Sequence, residues 1–351
     1  MRKEAKNEVL MTTRQKAPGD PSRLCAALNT HLEKLLADGT LTCGRLNAAT
    51  FVEQAGAIIY QLMLRNSDEE CWLYFRIAVQ SRQQANHLVA HRIAPMMEEL
   101  RSGYPILDWW WLNKSDVCGS ALRLRINTGD ARIDSGDEIE KRLCDLGCHV
   151  SRLLYEPELC LFGGPAGLKL AHAHFCFESE FLARWMRHGD ESGRALPEGL
   201  SLAMILRTLR AAGLDVFECW DVFDRLCHKR PHSGSANVPA GIQIMVHKIM
   251  DAGPHRVFKL YDAEKARMLQ EYGERLDSFG QNLTRAYMAG HLECGLREFL
   301  TPLVLFHWNR AGFSPVLQAV LSWAMAKELR ELSRKPATRN RQEENHGITI
   351  A

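Results

Sequence analysis

The hydrophobic pattern changes period along the chain. Trp72 to Val79 is dense in aromatic and β-branched residues and reads as a strand. Asp108 to Lys114 and Ala121 to Asn127 read as two strands around a turn with Asp116 and Gly119, and Val150 to Tyr155 as a further strand. A helical period runs through Gln83–Leu100 and Glu138–Leu146 and then dominates, over Pro165–Met186, Ser201–Ala212, Val216–His228, Asp262–Tyr287 and Pro315–Leu332. Arg230 to Ala240, with Pro, Ser and Gly, is a loop. Strands gather early and helices late. The pattern predicts an α+β fold, with a mixed β-sheet in the first half packed by helices and a helix-rich second half.

Two further helical patterns precede the sheet. Ser22 caps one that carries Leu24, Leu28, Leu32, Leu35 and Leu36 and stops at Asp38-Gly39; the other covers Ala48–Leu64. The expected organisation is a disordered basic tail over 1–20, a helical extension over 21–66, a main domain over 67–333 and a disordered tail over 334–351. The extension either packs on the main domain or holds a peptide.

Composition narrows the class. The 351 residues, 46% of them hydrophobic, are ample for a large core, and a formal charge of +2 lacks the basic footprint of a nucleic-acid binder. Direct tRNA binding is not expected. Eleven cysteines, an odd number with no Cys-x-x-Cys, read as reduced thiols of a cytoplasmic protein. No apolar run of about 18 residues is present, so no membrane span is expected. The polar start has no apolar core of a secretory signal. His172, His174 and Cys176 would share a face on a strand, but their region has helical period, which turns positions two apart roughly 200° away from each other. No metal and no cofactor are expected.

Three segments carry candidate chemistry. In Tyr155-Glu156-Pro157-Glu158, the proline disfavours helix at Glu156, and Gly163-Gly164 permits a tight turn beyond. Glu156 and Glu158 fit either acid/base and substrate-orienting roles or a solvated loop. Strand alternation puts Arg123 and Arg125 on one face about 7 Å apart, where they bind a carboxylate, hold a peptide backbone or line a half-wet sheet. His307 is an acid/base candidate or a buried structural histidine, with Asn309 and Arg310 just after it. Arg310 either polarises an amide carbonyl or pairs with a carboxylate such as Glu158. Trp109 and Trp111 share a face opposite Trp110; at least one of the three is core, and one or two are candidates to line a groove for flat rings or a peptide.

These segments resemble, in order, those of the lantibiotic dehydratase C-terminal domain, also called the thiopeptide-type bacteriocin biosynthesis domain. The likeness rests on Asp108-Trp109-Trp110-Trp111-Leu112, Leu122-Arg123-Leu124-Arg125-Ile126, Tyr155-Glu156-Pro157-Glu158 with Gly163-Gly164, Phe177-Glu178-Ser179, and Phe306-His307-Trp308-Asn309-Arg310. The resemblance implies a peptide substrate whose Ser or Thr is esterified by glutamate, and elimination of that glutamate to leave a dehydroamino acid. It places Arg123, Arg125 and Glu158 at the site. Leu161 stands where the motif puts an arginine, Ala121 where a histidine is common, and Asn113-Lys114 where an Arg-Tyr pair is expected. A leucine cannot hold a glutamate carboxylate. The first expectation is therefore the ring-forming branch of the family, the pyridine synthases, which join two dehydroalanines by a formal [4+2] aza-cycloaddition and release the leader peptide. There His307 serves as acid/base, with Arg123 and Arg125 holding carbonyls or carboxylates. The second is glutamate elimination in a split dehydratase, with Lys114, Lys169 or Arg152 covering for the missing arginine. The third is a non-catalytic leader-binding scaffold. The implied partners are a ribosomally made precursor peptide and companion glutamylating and azole-forming enzymes.

Overall fold

The computed structural model describes residues 72–103, 108–116, 119–129, 134–188, 196–230 and 238–334. The two tails and the helices expected between 21 and 66 lie outside these.

Four strands, β1 (Trp72–Ala78), β2 (Asp108–Asp116), β3 (Gly119–Asn127) and β4 (Val150–Leu153), form one sheet in the order β2-β3-β1-β4. All three pairings are antiparallel, so the sheet is not mixed. The reason lies in the crossovers. Helices α1 (Arg82–Leu88) and α2 (Ala94–Leu100), joined by a π-turn over Val89–Ile93, link β1 to β2, and α3 (Asp134–Asp145) links β3 to β4. Each crossover joins strands that run the same way, but another strand lies between them. This is the split βαβ arrangement.

The two faces differ. Leu73, Phe75, Ile77, Trp109, Trp111, Leu122, Leu124 and Ile126 share one face and are all buried. Asn113 on that face donates to Asn86 of α1 at 3.0 Å, and Arg152 reaches Asp137 of α3 at 3.1 Å, so the crossover helices cover it. The other face carries Trp72, Tyr74 and Arg76 of β1, Arg123, Arg125 and Asn127 of β3, and Trp110, Leu112 and Lys114 of β2.

The long helix α4 (Gly164–Arg187) lies on this second face, with His172 4.7 Å from the Trp72 ring and Phe175 4.9 Å from Trp110. Its start is set by Gly163, at φ 67°, where an added Cβ would stand 2.6 Å from Cys294 Sγ. Behind α4 stand α5 (Glu198–Ala211), α6 (Val216–Lys229), α7 (Ala240–Ala252), α8 (Pro254–Phe258), α9 (Ala263–Met288), α10 (Leu296–Arg310) and α11 (Pro315–Arg334). An Asp215–Glu218 capping box starts α6, and Asp262 caps α9. Among the described residues no helix is long and apolar enough to cross a membrane.

Candidate active site

The strand arginines and the acid loop converge. Tyr155, two residues after β4, turns its buried ring over the second sheet face, and its hydroxyl meets His172 Nε2 at 2.7 Å. Beneath it lies Arg125, only 3% exposed. Its guanidinium is 4.3 Å from the Trp110 ring, 4.7 Å from Tyr74 and 5.5 Å from Tyr155. The aromatic faces supply cation–π attraction in place of a carboxylate. Nη1 donates to the Arg123 carbonyl at 3.2 Å, while Nε–H is buried with no hydrogen-bond acceptor. Burial lowers the Arg125 pKa from its ordinary value, and the nearby Tyr155 and Glu158 charges partly offset this. Glu158 is half-buried, and its Oε2 is also buried without a donor. A donor and an acceptor of opposite charge thus sit near each other without bonding. A peptide amide between them would satisfy both, with a carbonyl for Arg125 and an N–H for Glu158.

Arg123 is half-buried on the same face. Glu156 is exposed, and Leu161 is 36% exposed on the short 3₁₀ turn Cys160–Phe162. Trp109 and Trp111 are core side chains rather than groove walls. They stack on each other at 5.8 Å on the crossover-helix face, because the pleat gives Trp110 alone to the Arg125 side.

His307 does not join this cluster. It is 3% exposed on α10 and belongs to a second, internal network centred on Glu178 of α4. Glu178 Oε1 accepts from His307 Nδ1 at 2.6 Å and from the Tyr272 hydroxyl at 3.0 Å. Arg310 donates to Oε2 through Nε at 2.7 Å and through Nη2. The Arg310 partner is therefore Glu178 and not Glu158. His307 Nε2 meets Ser201 Oγ at 2.8 Å, and that oxygen also accepts from Trp308 Nε1 at 3.2 Å. Both ring nitrogens are occupied. Asn309 lies apart, accepting from Gln318 at 3.0 Å.

Burial pushes the Glu178 carboxyl up, but Arg310 and His307 together hold it well below the usual carboxylate range. Burial also drives His174, 3.7 Å from Glu178, down to about 3, and raises the Tyr272 phenol. The adjoining cavity, lined by Glu178, His307, Tyr272 and apolar residues of α5 and α10, is about 20 Å³, room for a single water. Rings separate the two clusters: Arg310 lies over Phe175 at 4.6 Å, and Phe175 packs on Trp110, which faces Arg125. His172 and His174 point to different clusters, as a helix requires. Among the described residues no group of three or more His, Cys, Asp or Glu side chains forms a metal site.

Two of the residues overlooked from sequence had a signal there. Glu178 lies in the Phe177-Glu178-Ser179 stretch, and Arg76 is the one charge in an otherwise apolar strand. Ser201 carried none, because its partner His307 lies 106 positions away.

A family model described as lantibiotic biosynthesis dehydratase C-term matches residues 72–329. Among solved structures, the tRNA dependent lantibiotic dehydratase MibB from Microbispora sp. 107891 aligns with a TM-score of 0.55 at 18% identity over 75% of this chain. The chain spans only 28% of that protein's length. TsrL aligns with a TM-score of 0.49 at 15% identity, over 75% of this chain and 95% of TsrL. No curated protein matches the sequence.

Proposed function

Because this chain belongs to the lantibiotic biosynthesis dehydratase C-terminal family, we propose that it is an enzyme maturing a ribosomally made peptide, acting on dehydroalanine amides at the Arg125–Glu158 gap. The carrying observation is the buried, unpaired Arg125 Nε–H beside the buried, unpaired Glu158 Oε2. A peptide carbonyl accepts from Arg125 and its N–H donates to Glu158. Moving that amide proton toward the carboxylate, while the guanidinium polarises the carbonyl, brings the amide toward its imidic-acid form. The dehydroalanine then becomes an azadiene that a second dehydroalanine closes onto, in a formal [4+2] step followed by loss of water and of the leader. Holding both partners in one site removes association entropy from the barrier. Leu161, exposed where the family motif has an arginine, supports ring closure over glutamate release. His307 acts in this reading as a positioning residue, through Arg310, Phe175 and Trp110.

A second reading, elimination of glutamate from a glutamylated Ser or Thr, is supported by Arg76, which adds a guanidinium opposite Arg123. Offering the full-length chain a dehydroalanine-rich precursor and, separately, a glutamylated precursor distinguishes them by mass spectrometry. Ring closure with leader loss is expected, and abolished in Glu158→Gln. Free glutamate instead supports elimination. No change to either peptide leaves only a leader-binding role.

A further inference from the structure

The two edges of the sheet differ. Strand β2 is buried from Trp109 to Asn113, where α4 and α10 pack on it. Strand β4 pairs on one side only, with β1, and Ser151, Arg152, Leu153 and Leu154 are all exposed. Leu153 is 45% exposed and Leu154 55%.

One bond sets the phase of this edge. The Ala78 N–H donates to the His149 carbonyl at 3.0 Å, one step beyond the β1–β4 register. Antiparallel ladders alternate bonded and non-bonded pairs, so Ser151 and Leu153 turn their main-chain groups toward β1. Val150 and Arg152 turn theirs outward, and the trans peptide after Leu153 sends the Leu154 N–H the same way. Among the described residues these outward groups have no main-chain partner. Natural sheets cover such an edge or blunt it with Pro, a bulge or lysine. Here it carries two exposed leucines, and Arg152 is tied to Asp137 of α3.

The edge is continuous with the Arg125–Glu158 gap. Trp110, Arg125, Tyr74 and Leu153 form one row across the four strands, and β4 runs on into the acid loop. A fifth strand puts every second side chain on the Arg125 face, beside Leu153.

We infer that the outer edge of β4 binds an extended segment of the peptide substrate by strand addition, with an apolar side chain against Leu153. This rests on the maturation reading above. Main-chain bonds hold an unfolded peptide of varied sequence, and the pocket beside Leu153 sets its register. Two other occupants fit less well. Asn66, Asp68, Glu69 and Glu70, just ahead of β1, are of types depleted in strands. Two copies joined edge to edge would meet over a strand about 13 Å long, far short of the roughly 800 Å² per partner of a stable dimer.

The test uses the full-length chain and a fluorescein-labelled dehydroalanine peptide with a Val-Thr-Val-Thr-Val flank, plus two twins N-methylated on the Val or on the Thr residues. Only alternate N–H groups of an added strand face β4. One twin should therefore lose about tenfold in affinity by fluorescence anisotropy, and the other stay within about twofold. Leu153→Lys, at an exposed position, should weaken the unmethylated peptide about fivefold or more. Single-residue hydrogen exchange should show new protection at the Val150, Arg152 and Leu154 N–H groups and little change at Ser151 and Leu153, which already bond β1. No binding, equal losses for the twins, or protection without this alternation overturns the inference. Protection without peptide that grows with protein concentration also overturns it, in favour of a second copy. Edge protection by peptide without turnover of any precursor keeps the edge site and sinks the maturation reading. Turnover without edge protection sinks the edge site alone.

Discussion

At the scale of single residues, the role proposed for Arg125 is set against stability. A guanidinium buried among Trp110, Tyr74 and Tyr155, with Nε unpaired, is poorly compensated for its lost hydration. An apolar side chain of similar reach would fill the same box without that cost. Arg125→Met is expected to raise the unfolding free energy by about 1–3 kcal/mol in urea titration while abolishing product formation. A variant that is both active and more stable would remove Arg125 from the chemistry. The Glu178 network has the opposite character. Its carboxylate accepts from Arg310, His307 and Tyr272, which offsets much of the cost of burying its charge, although Arg310 Nη1 has no acceptor.

At the scale of elements, backbone contact decides what the hydrophobic period leaves open. Strands and most helices follow the pattern to within a few residues. Three helices do not. Ala240–Ala252 and Pro254–Phe258 were hidden behind Gly253 and Pro254, and Leu296–Arg310 contains Pro302. That proline is accommodated, and Thr301 Oγ1 donates back to the Arg297 carbonyl at 2.7 Å. Packing of α9 on α5 turns on Gly280, where a Cβ would come within 2.4 Å of the Ala211 backbone carbon. The opposing atoms are main chain and cannot rotate away. Gly280→Ala is expected to cost about 1–3 kcal/mol despite its better helix propensity, read as a lower denaturation midpoint. A rise in midpoint would mean that the two helices separate freely.

At the scale of the whole molecule, the buried titratable groups make folding acid-sensitive. The His174 pKa, down to about 3 in the folded state, lies below its ordinary value of 6.5. As pH falls through 6.5 the unfolded chain takes up this proton and the folded one does not, so stability present above 6.5 is lost toward 3. Glu178 adds a second loss of the same sign, beginning as pH falls below 4.5. His174 alone is expected to remove about 2 kcal/mol at pH 5 relative to pH 7.5. Urea midpoints of wild type and His174→Gln should therefore diverge in slope between pH 7.5 and 5, the variant varying less. Parallel slopes would show that His174 is not held neutral.

Local order determined the strands, the helix-rich second half and the shared face of Arg123 and Arg125, because strand and helix periods depend only on neighbouring residues. The motif order likewise marked the acid loop, the Phe177-Glu178-Ser179 stretch and the His307 segment. Tertiary structure alone decided which of these meet. Tyr155 folds back over Arg125, so the acid loop and the arginine strand join. Phe175 and Trp110 stand between them and His307, whose partners come from α4 and α5, more than a hundred positions earlier. Side-chain burial and charge pairing across such separations follow from packing, which no local pattern encodes.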